Sequence, residues 1–190
     1  MAVLIACQKP AVPLSEIANI SKLRSEKDAY FLSEESPLGD SLKKQFHGLN
    51  YFPEDSTYRF WVKLNKYDNP RELEMLTSKG KRKHYIEYGY FESELEGKNN
   101  RLNVFKANPP IEGHENYLFI PFKDATTGKE TYDAGRYLDL EEKPNDMYVL
   151  DFNLAYNPWC AYSDNYNCPY PPKENILSIA VRAGEKSFEH

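Results

Sequence analysis

The chain is short of cysteine and histidine, with three of the first and four of the second in 190 residues. His47, His84, His114 and His190 show no ligand spacing, and the cysteines form no two-to-four-residue knuckle, so no metal site is expected. No run approaches the ~20 apolar residues of a membrane-spanning helix. A basic surplus is also missing: net charge is -5 and pI about 5.5. Proteins that grip phosphate backbones draw affinity from counterions displaced by cationic side chains, so nucleic acid is not the expected partner. The one basic run, Lys79-Gly80-Lys81-Arg82-Lys83-His84, lies between two strand-like segments and reads as a solvated hairpin turn. No serine elbow, phosphate loop or dinucleotide fingerprint occurs, so no cofactor is implied.

Aromatic side chains are abundant. Fifteen tyrosines and ten phenylalanines give the chain the apolar surface that a disordered sequence lacks. A chain of this length buries roughly 70% of the surface its unfolded form exposes, enough to fold without metal or disulfide. We expect one domain over residues 14–190, preceded by a tether or signal remnant over residues 1–13.

Helical periodicity is confined to the first quarter. Apolar positions at Ile17, Ile20, Leu23, Tyr30 and Phe31 predict a helix from Ser15, ending before Ser36-Pro37. A short second turn runs from Asp40 to Phe46. From Tyr58 onward the texture is strand-like, beginning with Phe60, Val62 and Leu64 alternating with polar or exposed neighbours. Further strands are expected at 73–77, 84–91, 101–106, 117–122, 147–152 and 176–182. Strands without intervening helices indicate a mainly β fold, an antiparallel barrel or sandwich of about eight strands with an N-terminal helix. In the strand at 84–91, Tyr85, Glu87, Gly89 and Phe91 fall on one face.

Residues 153–172 break the alternation for twenty positions rich in aromatics, amides and proline. Long loops in compact domains are usually functional or packed on themselves. Within this one, Cys160 and Cys168 are a candidate disulfide if the protein is exported, or two thiols if it is cytosolic. Leu4-Ile5-Ala6-Cys7 resembles a bacterial lipobox, with Cys7 the candidate lipidation site. Six residues precede that cysteine, fewer than the basic start and the 7–15-residue apolar core of a signal peptide. The readings are a periplasmic or membrane-anchored lipoprotein with a shortened start, or a chance match in a cytoplasmic protein. Membrane contact is expected only through Cys7.

Gly135-Arg136-Tyr137-Leu138-Asp139, the run from Leu150 to Tyr162, Cys168-Pro169-Tyr170-Pro171-Pro172-Lys173-Glu174-Asn175 and Ala183-Gly184-Glu185-Lys186 resemble the bacterial and archaeal domain of unknown function 1684 family. The likeness extends back through Gly48–Pro53 and Pro121–Asp124. It implies a mostly β domain in exported and unexported versions, and no activity.

Three functional readings follow. In the first, Arg136, Tyr137, Asp139, Asp151, Asn153, Tyr156, Asn157, Trp159, Tyr162, Glu174 and Asn175 line a pocket for an unidentified small molecule. Arg136 would hold an anionic group and the aromatics would stack on the ligand. In the second, Asp139 and Asp151, or Cys160, serve a hydrolase-like enzyme. In the third, the same polar residues cap loops and pair inside the fold, as buried polar groups must.

Overall fold

The alternation that begins at Tyr58 produces seven strands. The computed structural model describes residues 11–189. Strands β2 (Asn65–Leu76), β3 (Arg82–Leu95), β4 (Lys98–Ala107), β5 (Tyr117–Phe122) and β6 (Arg136–Glu141) form an antiparallel meander in chain order. Strands β1 (Arg59–Lys63) and β7 (Met147–Asp151) pair antiparallel as a second sheet. The sheets are not closed into a barrel; the fold is sandwich-like. Between them pack Phe60 and Leu64, Tyr148 and Leu150 of β7, and Phe91, Leu102, Val104, Leu118, Ile120 and Leu138 of the larger sheet. A smaller cluster of Met75, Tyr85, Phe105, Phe119 and Tyr137 covers the other face of the larger sheet.

The alternation in β3 does not hold one face throughout. A bulge between Glu87 and Gly89 inserts one residue opposite β4. Tyr85 therefore joins the outer cluster, while Phe91 joins the inner one. Such an insertion shifts the two-residue period by one and reverses the side-chain faces beyond it. At Gly89 a Cβ would come within 2.6 Å of the Asn65 carbonyl, which makes glycine the residue this bulge admits.

Three sequence expectations change. The helix α1 spans Ile20–Leu32, not from Ser15, because Asn19 caps it by accepting the Lys22 N–H at 3.0 Å. Leu14–Glu16 makes a separate single 3-10 turn. Strand β6, absent from the pattern reading, pairs with β5 over Arg136–Glu141. Residues 176–182, expected as a strand, form no ladder. They run beside the 123–125 segment through isolated bonds, Leu177 N–H to the Lys123 carbonyl and Ala125 N–H to the Ile179 carbonyl, both 2.8 Å. A second short helix, α2, covers Asp40–Lys43. Between Leu76 and Arg82 the basic run makes the expected turn at Gly80.

Candidate functional site

Several polar residues singled out by the sequence are consumed in building the fold. Arg136 is 1% exposed and donates to the Val181 carbonyl at 2.8 Å and the Glu185 carbonyl at 3.1 Å, and also to the Ala183 carbonyl. It pairs with buried Asp124 at 2.9 Å. Burial lowers its pKa, opposed by Asp124. This arginine does for residues 181–185 what a neighbouring strand would do: it satisfies their carbonyls. It is therefore placed in the core and not on the wall of a pocket. Asn175 accepts the Asn103 N–H at 2.7 Å and donates to the Asn103 and Pro121 carbonyls, both at 2.8 Å. Strands β4 and β5 share one register pair, Phe105 with Phe119, and Asn175 fills the gap where they diverge.

The other amides and acids are similarly engaged. Asn153 clasps the backbone of Asp55 in both directions and donates to Asp151. Asp151 is buried against Arg59 at 2.6 Å. Asn157 donates to the Lys186 carbonyl, and Tyr162 donates to Glu185 while packing on Phe31. Glu174 lies 3.7 Å from Arg71 in an open cleft on the β2–β4 face, with Glu87 and Arg101. Asp139 and Asp151 share no partner, so the expected acid–base pair is not assembled. Cys160 is bonded to Cys168, so its sulfur is not free to act as a nucleophile.

Tyr137, Tyr156 and Trp159 are brought together. They line a cleft of about 440 Å³ between the outer face of the larger sheet and the disulfide-closed loop, with Lys83, Tyr166, Asn167 and Pro169. The loop is held over the sheet by the turn of the basic run. Ser78 N–H donates to the Cys168 carbonyl at 2.9 Å, Lys79 N–H to Asn167 at 3.1 Å, and Lys79 Nζ to the Asn165 carbonyl at 3.1 Å. Trp159 is 37% exposed, with the Tyr166 ring 6.1 Å away. Tyr137 stands edge-on to Tyr156 at 5.8 Å and donates its hydroxyl to the Pro169 carbonyl. Behind Tyr156 lies Asp139, which keeps an exposed edge while accepting from the Tyr156 and Tyr117 hydroxyls, each at 2.6 Å. Desolvation by the surrounding rings raises the Asp139 pKa above the ordinary value, against the pull of those hydroxyls and Lys27.

On the other side of Tyr156, beneath α1, is a cavity of about 230 Å³ lined by Ile20, Leu23, Arg24, Lys27, Tyr51, Asn153, Leu154, Ala155, Tyr156 and Glu185. Lys27 separates the two spaces: its ammonium sits 4.7 Å over the Tyr156 ring and 6.0 Å from that of Trp159, and it pairs with buried Glu185. The two spaces together flank one tyrosine.

Residues 44–186 match the family model described as Protein of unknown function (DUF1684). The chain belongs to this family. A solved structure similar to it is the solution NMR structure of the uncharacterized protein from gene locus rrnAC0354 of Haloarcula marismortui, at 37% identity over 90% of this chain and 94% of that one, with a TM-score of 0.69. No curated protein matches.

The DUF1684 match takes in the sheets, the disulfide loop and Glu185, whereas α1 precedes it. The cations of the cavity beneath α1, Arg24 and Lys27, thus come from outside the matched span, whereas Lys83 of the cleft lies within it. Pattern reading missed Arg24 and Lys27, together with Tyr51, Lys83 and Tyr166. Their signal was present but ambiguous: Ile20, Leu23, Arg24 and Lys27 share one helical face, which reads as packing until the partner is seen. Among the described residues, no three His, Cys, Asp or Glu side chains are grouped to hold a metal, and no helix is long and apolar enough to cross a membrane. Cys7 lies outside the described residues.

Proposed function

We propose that the protein is a small-molecule-binding domain whose ligand stacks a planar ring in the 440 Å³ cleft. The observation that carries this reading is a half-exposed Trp159 set beside Tyr166 over a floor of Tyr137 and Tyr156. Aromatic walls with a few polar groups at the rim are the usual make-up of a ligand pocket. An anionic substituent pairs with Lys83 at the rim, the role expected of Arg136 from sequence. Binding is favoured over catalysis because Cys160 is tied to Cys168 and Asp139 and Asp151 belong to separate networks.

A thermal-shift screen of planar aromatic acids tests this. A ligand at a hundred times its Kd stabilises by about 2.7 kcal/mol, a rise of roughly 5–10 °C for a domain of this size. Tyr166→Ala and Lys83→Ala alter exposed or half-exposed side chains, so their melting without ligand stays near wild type while the ligand-induced shift falls. A hit that stabilises both variants as much as wild type binds elsewhere and overturns the assignment.

We also infer that the protein is exported and tethered through Cys7. The Cys160–Cys168 bond supports this reading, because such bonds persist in oxidising compartments. Mass spectrometry of the cellular protein checks it: a diacylglycerol-modified Cys7 is expected, and an unmodified N-terminus with alkylated thiols at both Cys160 and Cys168 contradicts it.

A further inference from the structure

Side chains in the wall of the cavity beneath α1 carry buried polar atoms that the fold leaves unanswered. Arg24 Nε and Nη2 and the Tyr51 hydroxyl are buried without a hydrogen-bond partner. All three belong to side chains that line the cavity, and the Arg24 guanidinium lies 4.3 Å over the Tyr51 ring. An unsatisfied buried donor costs about 1–3 kcal/mol, more when charged, so three in one place need a reason. Nε and Nη2 form one edge of the guanidinium, and their parallel N–H bonds match the two oxygens of a carboxylate.

We propose that this cavity binds the carboxylate of a short aliphatic acid, with the Arg24 edge as its fork and the Tyr51 hydroxyl as a third donor. The acids already present do not compete for the fork. Glu185 accepts from Lys27, from the Asn157 N–H at 2.8 Å and from the Tyr162 hydroxyl. Asp28, beside Tyr51, accepts the Leu49 N–H at 2.9 Å and is not part of the lining. Tyr51 keeps its proton, because burial and the nearby Glu185 and Asp28 charges raise its pKa. Ile20, Leu23, Leu154 and Ala155 offer apolar wall to an alkyl tail. A cavity of 230 Å³ takes about seven water-sized groups, which sets the ligand at a few carbons. Arg24 rotates its outer torsions from the Tyr51 ring into the space it lines, and the fork then exchanges an orphaned state for a charge-assisted pair.

The site is independent of the aromatic cleft, and the experiment keeps them apart. Nitrogen-15-labelled full-length protein is titrated with sodium butyrate, following backbone amides and the Arg24 Nε–H signal. Saturable shifts are expected at Arg24 Nε–H and at the amides of Tyr51 and Ala155. Arg24→Gln is expected to weaken butyrate at least tenfold and Tyr51→Phe severalfold, while Tyr166→Ala leaves it unchanged. Butyramide, which lacks the charge, produces no saturable shift. If Arg24→Gln fails to fold, Tyr51→Phe and the wild-type Nε–H signal carry the test. Equal binding of butyrate and butyramide, no saturation in wild type, or phosphate binding in place of butyrate overturns the proposal.

Discussion

Arg136 and Asn175 show what a polar residue does when it is denied water. Each is almost wholly buried, and each donates to backbone carbonyls that no strand reaches. Replacing Arg136 with Met leaves Asp124 without its guanidinium partner in the core, a loss of about 3–5 kcal/mol. Asn175→Ala leaves the Asn103 N–H and the Asn103 and Pro121 carbonyls unanswered, at about 3 kcal/mol or more in all. Urea denaturation checks both, and a loss below 1 kcal/mol in either contradicts the account. The sequence made these residues legible as polar groups near strand ends, and architectural pairing was one reading of them. It left open whether they faced a ligand or the chain itself, because both uses demand the same side chains. Trp159 and Tyr156, which line the cleft, were legible as residues of one loop for a simpler reason: large rings in a proline-rich loop have few places to go.

Among the elements, the strands were readable where alternation held, as in β1 and β7, or where an apolar run was continuous, as in β5. Strand β6 escaped because its buried positions include Arg136 and Tyr137, so polarity masked the pattern. Residues 176–182 misled in the opposite way. Their apolar alternation buries Leu177, Ile179 and Val181 in the core, but the carbonyls go to Arg136 and isolated partners. Gly184, at φ +77°, turns the chain where a Cβ would lie 2.4 Å from the Ala155 carbonyl, so Gly184→Ala should destabilise both ends of that contact.

The loop and the sheet give two further expectations at this scale. Replacing Cys160 and Cys168 together with Ser removes a constraint over eight positions, about 2–3 kcal/mol in the chain-entropy view. Glu142, just after β6, accepts from Lys106 at 2.8 Å and from Tyr88, and pairs with Lys66 at 3.0 Å. Desolvation alone would push its carboxyl up, but those partners outweigh it and hold the pKa at about 2, against an ordinary 4.5. The sign follows from linkage: the ionised group stabilises the fold above pH 4.5, and that contribution is lost as pH falls toward 2. Wild type should therefore exceed Glu142→Gln in stability at pH 6, with the gap closing between pH 4.5 and 2. A gap independent of pH would remove Glu142 from the account of acid unfolding.

At the scale of the whole molecule, β1 and β7 close over a five-stranded meander, α1 packs on the disulfide loop through Phe31 and Tyr162, and the loop is bonded to that sheet through Tyr137 and Pro169. The DUF1684 match and the Haloarcula marismortui structure carry this fold, and the chemistry is read from the two spaces on either side of Tyr156. Two tryptophans, Trp61 in β1 and Trp159 at the cleft, make the central claim measurable in one spectrum. The direct test is an indole N–H titration of labelled protein against planar aromatic acids. A binding acid is expected to shift the Trp159 indole saturably and to leave the Trp61 indole in place. A bound acid that leaves the Trp159 indole unmoved, or that moves both tryptophans alike, contradicts the central claim.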